Sequence, residues 1–425
     1  MGRSSSPGSG DEIFELELTT MAHGGAAIGR HNGRTIFVPY AIPGEKITAR
    51  IVQDRGRFAY AEGVTLLEPS PYRTTPRCPH FGPGRCGGCH FQHIEYTAQL
   101  ALKQRIVAEQ LARIGGVEDA PVQPTIPSPA PWGYRTHATF HITEEGKPAF
   151  VGTDERSLIP IEECHIIRPE LQELLEIMEF EPPESEGERI ERVRIQVGSD
   201  PNDRLIAIST EDDTLPAVEI DLPVQVSFLS SDEEPQALIG TGKVTYTLRG
   251  RTFQTTAGSF FQVNLAQAET LIGLVLDRLA LTGAESVLDL YSGVGLFTAF
   301  LAERAALVTA IEGSPTAVDD AEVNLADFEN VTLVEGLVEE ALSGLDGPVD
   351  CIVLDPPRTG VEPTALDAII ETGARRVVYV SCDPATLARD AKRLLAKGYQ
   401  LVDVQPVDMF PQTFHIECVA TFQRG

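Results

Sequence analysis

Long apolar runs are missing from this chain. None approaches the ~18 residues that a membrane-crossing helix needs, so no span is expected. The opening segment, MGRSSSPGSG, lacks the apolar stretch of a secretory leader and reads as a Ser/Gly linker. Positive charge is scarce as well. The 425 residues hold 34 Lys and Arg against 62 Asp and Glu, a net charge of −28. That argues against a generic nucleic-acid binder held by bulk basicity. Cysteines number seven, an odd count, in a long chain with no export signal. A disulfide framework is therefore not expected; metal ligation or catalysis is the better use for them. The expected location is the cytoplasm, and a monomer is the default state.

The charge is unevenly placed. Residues 141–240 carry 25 acidic and 7 basic side chains, while residues 70–115 carry 6 basic and 2 acidic ones. Global acidity is thus compatible with a local basic face. The acidic block reads as a solvated surface.

Short strands broken by Gly and Pro fill residues 11–69, the pattern of a small barrel. The stretch MAHGGAAIGRHNGRTIFVPYAIPGE within it resembles the TRAM domain, an OB-like RNA-binding barrel. A Cys/Gly/Pro loop follows, and residues 96–114 repeat apolar positions at helical spacing up to a Gly-Gly stop. From 134 to about 250 strands dominate, with one acidic helix near 169–180. This predicts an α+β middle domain over 70–250. Beyond it, over 251–425, a helix at 264–281 leads into apolar strands alternating with helices. That is the signature of a doubly wound, Rossmann-like α/β sheet.

SVLDLYSGVGLFTAFLA at 286–302 reads as strand, Gly loop and helix. Gly293 and Gly295 let the backbone approach a ligand, and a helix N-terminus favours its polar atoms. Glu312 ends the next strand, where a carboxylate suits two ribose hydroxyls. The competing reading is a nicotinamide cofactor. However, the third glycine of a GxGxxG would fall on Thr298, and no second dinucleotide half is visible. The loop together with a later Asp-Pro-Pro fits S-adenosylmethionine (SAM) better, with Tyr291 packing either on the donor or in the core.

Asp355 follows the strand CIVL and precedes Pro356-Pro357, so it should stand at the carboxyl end of the sheet, where open α/β folds bind ligands. Cys382 follows the strand VVYVS. Carbon 5 of uracil is a poor nucleophile until a thiolate adds to C6 and makes an enolate. The chemistry needs one low-pKa cysteine and one base. Glu417 is the best base and His415 the reserve. Cys351 and Cys418 read as core residues.

At this point the chain resembles the RNA uracil-C5 methyltransferases, the 5-methyluridine enzymes of rRNA and tRNA, along nearly its whole length. SCDPATLARD matches the family's nucleophile motif at Cys382, and FHIEC its base motif at Glu417. GSFFQVN at 258–264 implies that Gln262 touches the donor and Phe260 stacks on the flipped uracil. The resemblance further implies donor contacts at Tyr291, Glu312 and Asp355, with Gly336 a looser match.

Cys78, Cys86, Cys89 and the distant Cys164 form C-x7-C-x2-C … C. Four thiolates suit zinc or an iron–sulfur cluster, and spacing alone does not choose. The resemblance favours [4Fe-4S], although the first gap is longer than the family's usual one. CxxxCxxC is absent, which disfavours radical-SAM chemistry. The cluster loop, the helix at 100–113 and the barrel should form one basic face for RNA. Arg135 would hold the strand vacated by the flipped base. The expected function is SAM-dependent methylation of a uridine in RNA, with 23S rRNA ahead of tRNA. The rivals are a cytosine-C5 methyltransferase, a non-catalytic iron–sulfur RNA scaffold and a dehydrogenase.

Overall fold

Alternation of small and branched inward residues closes the first five strands into a barrel: β1 (Ile13–Met21), β2 (Ala27–His31), β3 (Arg34–Val38), β4 (Lys46–Asp54) and β5 (Phe58–Glu68), in the order β1-β2-β3-β5-β4. Leu16, Leu18, Ile36, Val38, Ile47, Ala49, Ala59 and Ala61 fill its interior. The narrow interior takes small side chains at several positions. At Gly29 a Cβ would stand 2.6 Å from the Glu17 carbonyl, so no larger residue fits there. The computed structural model describes residues 12–425 except 179, 181–188, 216, 217, 219, 221, 233 and 346. The opening linker therefore lies outside the described residues.

Helix α1 (Tyr96–Gln110) runs on through a π turn at Leu111–Gly115 and stops at Gly116, whose φ is +73°. Its Leu102, Ile106 and Val107 enter the core of the C-terminal sheet. The middle region holds β6 (His137–Ile142), β7 (Pro148–Val151), β8 (Leu158–Pro160), α2 (Pro169–Ile177), β9 (Ile190–Val197), β10 (Arg204–Thr210), β11 (Gln225–Leu229) and β12 (Pro235–Ile239). Its seven strands order as β12-β11-β10-β9-β6-β7-β8. Leu171, Leu174 and Leu175 of α2 share the core of this sheet. A hairpin of β13 (Lys243–Leu248) and β14 (Arg251–Thr256) follows, and it buries Val244, Tyr246, Leu248 and Phe253 in the C-terminal core. The sequence-derived boundary at 250/251 falls in its turn.

The C-terminal part contains α3 (Leu265–Leu279), β15 (Ser286–Leu290), α4 (Leu296–Ala302), β16 (Leu307–Glu312), α5 (Pro315–Asn324), β17 (Val331–Glu335), α6 (Val338–Ser343), β18 (Cys351–Leu354), α7 (Pro363–Glu371), β19 (Arg376–Ser381), α8 (Pro384–Ala396), β20 (Tyr399–Val407) and β21 (Glu417–Arg424). The sheet order is β17-β16-β15-β18-β19-β21-β20. The first five strands are parallel, and β21 and β20 join antiparallel. Parallel strands covered on both faces become continuous apolar runs, which is why CIVL and VVYVS are buried throughout. Cys351 and Cys418 lie in this core, as expected. Chain order reverses between β15 and β18, which opens a crevice at their carboxyl ends. The expected α/β class with a barrel and a mixed middle region is what the chain adopts. Among the described residues no helix is long and apolar enough to cross a membrane.

Candidate active site

The strand register assembles the site. Leu290 pairs with Leu354, and Leu354 with Tyr379, so the residues just past β15, β18 and β19 line one edge. Ser381 pairs with Cys418 on β21, which brings Cys382 opposite Glu417. Paired residues 25 to 64 positions apart in sequence thus meet at the crevice.

On the donor side, Tyr291 takes φ +62° and Gly295 φ +86°. A Cβ on Gly295 would lie 2.8 Å from Leu325 Cδ1, so this turn requires glycine. Glu312 stands at the end of the neighbouring strand and accepts from the amides of Gly293 and Ser314, both at 2.8 Å. The Gly336 amide donates to the Glu312 carbonyl at 2.9 Å. Of the sequence-predicted donor residues, Gly293 thus bonds the Glu312 carboxylate and Gly336 its backbone carbonyl. The carboxylate's remaining lone pairs suit two hydroxyls.

The segment between β14 and α3 adds a second wall. Phe261 stacks on Tyr246 at 4.4 Å with the rings nearly parallel, and this anchors the segment. Its neighbour Phe260 is left 64% exposed. Gln262 is buried, and its Nε2 donates to Asp355 Oδ2 at 3.4 Å.

Cys382 is half-buried at the turn into α8. Asp383 caps that helix through Oδ1, which accepts from the amides of Ala385 (2.8 Å) and Thr386 (2.9 Å). The sequence called for a low-pKa thiol, and the structure has the reverse. Burial, and then the charges of Glu417 and Asp355, push Cys382 up to about 12, with Arg358 opposing. Asp355 is itself pushed up to about 7 by burial and by Asp289. Glu417 is raised well above the usual carboxylate range by burial, then by Asp355, against Arg358. Its Oε1 is buried with no protein partner. A buried carboxyl oxygen left unpartnered beside a thiol suits a group that waits for a substrate proton. His415 packs against Phe410, Phe414 and His90, and burial drives its pKa down to about 3, so it is a poor reserve base.

Cys78, Cys86, Cys89 and Cys164 line one cavity of ≈ 280 Å³ together with Arg135 and Arg194. All seven cysteines are free thiols. Burial raises all four of the lining thiols, Cys86 to about 11. Among the described residues no group of three or more His, Cys, Asp or Glu is close-set enough to hold a metal ion. Arg135 is half-buried at this cavity, with Nε 3.4 Å from the His137 carbonyl.

The expected basic face needs correction. Lys103 is fully buried against Asp408, and Arg73 is engaged with the buried carboxylate of Glu45 at 2.5 and 2.7 Å. Four of the six basic residues, Arg77, Arg85, Arg105 and Arg113, remain exposed. Two further residues contribute to the site. Arg358, three residues past Asp355, acts on Cys382, Glu417 and His415 together. Its place in DPPR was the available signal. His23, on the barrel, reaches Asp383, and nothing local announced that contact.

A family model for tRNA (Uracil-5-)-methyltransferase matches residues 241–424, and one for the TRAM domain matches residues 12–64. An uncharacterized RNA methyltransferase of Streptomyces avermitilis is 36% identical over 433 residues, covering 97% of this chain and 98% of that protein. Another, from Gloeobacter violaceus, is 35% identical with 100% of both chains covered. The crystal structure of Pyrococcus abyssi tRNA (uracil-54, C5)-methyltransferase in complex with S-adenosyl-L-homocysteine aligns with a TM-score of 0.73 at 24% identity. The alignment covers 96% of this chain and 99% of that one, which establishes a shared fold. Identity sustained over the full length, with both family matches in sequence order, makes this chain a member of the SAM-dependent RNA uracil-5-methyltransferase family.

Proposed function

We propose that the protein methylates carbon 5 of a uridine in 23S rRNA through a covalent adduct between Cys382 and C6. The observation that carries this reading is the meeting of Cys382, Glu417 and Asp355 at the carboxyl edge beside the Gly293–Gly295 loop. SAM, when bound, supplies an electrophilic methyl group. The thiolate of Cys382 adds to C6, and the C5=C6 electron pair moves into an enolate. C5 takes the methyl group as its bond to the donor sulfur breaks. Glu417 removes the C5 proton, the C5=C6 bond re-forms, and Cys382 leaves as thiolate. Gln262 holds Asp355 in the crevice, and exposed Phe260 offers a stacking face to the flipped base.

We further propose that Cys78, Cys86, Cys89 and Cys164 hold a [4Fe-4S] cluster. A tetrahedral zinc, with Zn–S near ~2.3 Å, would draw its sulfurs to within about 4 Å of each other. Four thiols lining one cavity are a donor set for such a cluster, and the family resemblance favours it over zinc. Its contribution would be to pin the Cys loop to the Cys164 segment beside Arg135, since the methyl transfer has no redox step.

For RNA, the barrel offers Phe37, Phe58 and Tyr60, whose rings lie 5.5–5.9 Å apart, with Phe58 and Tyr60 each 37% exposed. Arg30 and Arg57, the latter next to Phe58 in the chain, are exposed on the same barrel. Such a set suits stacking of single-stranded bases. The division into 11–69, 70–250 and 251–425, action as a monomer and a cytoplasmic location complete the proposal. The test is nucleoside mass spectrometry after anaerobically purified protein meets SAM and unmodified 23S rRNA or total tRNA. Appearance of 5-methyluridine in 23S rRNA is expected. Its appearance in tRNA alone would move the substrate, and 5-methylcytidine would overturn the base assignment.

A further inference from the structure

The loop between β1 and β2 is folded back on itself: the Ala22 amide donates to the Ala26 carbonyl at 2.8 Å, and the Gly25 amide to the Ala22 carbonyl at 3.0 Å. It is pressed into the catalytic part of the chain. Met21 is buried in the same core as Leu290, Ile416 and Cys418. At Gly25, φ +83°, a Cβ would come within 3.1 Å of Phe414 Cβ. This seat carries His23 to the nucleophile turn. His23 Nε2 stands 3.4 Å from Asp383 Oδ2, with each side chain only 25% exposed. The opposite oxygen of Asp383 caps α8, so the carboxylate is fixed from both sides.

The groups acting on Cys382 are Asp383 on its own turn, Glu417 from β21, and Asp355 and Arg358 from the segment after β18. Three carboxyl groups face one guanidinium. A thiolate is hard to form in such company. His23 adds a second group capable of positive charge, and it comes from the barrel.

We propose that His23 is a positioning residue of the active site: by pairing with Asp383 it fixes the turn that presents Cys382 and offsets the carboxylate charge that opposes thiolate formation there. The proposal rests on Cys382 being the nucleophile. It makes the barrel a part of the catalytic unit and not only an arm for RNA.

The test reads Cys382 itself. The full-length protein is alkylated with iodoacetamide from about pH 6 to pH 9, without RNA or SAM, and the Cys382 peptide is followed by mass spectrometry. In His23→Ala alkylation is expected to be about three- to tenfold slower, a size limited by the pair's partial exposure. His23→Lys should restore the rate, His23→Gln should not, and in an Asp383→Asn background His23→Ala should have no further effect. In methylation assays kcat should fall while KM for RNA stays within about twofold. If His23→Ala fails to fold, His23→Gln against His23→Lys decides. Superimposable alkylation profiles for these variants and the parent overturn the proposal, as does a raised KM for RNA with kcat unchanged. Because alkylation needs no RNA, a failure of the methylation reading leaves this result readable on its own.

Discussion

Replacing Lys103 with methionine removes the most deeply buried positive charge described in the molecule. Lys103 and Asp408 are both fully buried, with Nζ and Oδ1 2.5 Å apart. Nζ also donates to the Phe410 carbonyl at 3.1 Å. The pair ties α1 to the segment that delivers His415 and Glu417. Methionine keeps most of the volume and none of the charge. Asp408 is then buried without a counter-ion, and a buried pair broken in this way costs about 3–5 kcal/mol, which is the expected deficit relative to the parent. The assay is urea unfolding followed by the fluorescence of Trp132, the single tryptophan. Midpoints are compared at equal slope. Lys103→Met combined with Asp408→Leu should recover most of the loss, because no buried charge remains. A deficit below about 1 kcal/mol refutes the reasoning.

Glu417→Gln is expected to stall turnover by about 10²- to 10⁴-fold and to accumulate a covalent protein–RNA species that Cys382→Ala abolishes; denaturing gels with labelled RNA show both. In Gly295→Ala the strained φ and the 2.8 Å approach to Leu325 should cost about 1–3 kcal/mol in stability and weaken SAM binding, read by thermal unfolding and calorimetry. The logarithm of kcat/KM should climb with pH by about one per unit from roughly pH 6 to pH 9, because a thiol pushed up to about 12 gains thiolate tenfold per unit; a plateau below about pH 7 contradicts this. Cys89→Ser should remove bound iron and sulfide and lower RNA affinity while SAM binding persists, checked by elemental analysis and filter binding.

Much of this arrangement was readable from the chain. Apolar runs such as CIVL and VVYVS mark buried parallel strands, because a two-sided environment leaves no place for alternation. A glycine or a proline past each strand marks its carboxyl end, and ligands bind there, so Gly293, Asp355 and Cys382 were nameable by position alone. The four cysteines were also visible as a set. What strands and spacing do not encode is what each charge faces. Lys103 looked like part of a basic helix surface, yet the fold turns it inward onto Asp408, 305 residues away. Cys382 looked like an activated thiol, yet burial beside Glu417 and Asp355 raises it. His23 is an ordinary loop residue until the barrel docks and sets it against Asp383. The order of the elements, the barrel and the doubly wound sheet follow from the chain alone, because hydrophobic periodicity and turn chemistry act over a few residues. The protonation landscape of the site arises from the folded arrangement. Desolvation and charge–charge energies depend on distances between segments hundreds of residues apart.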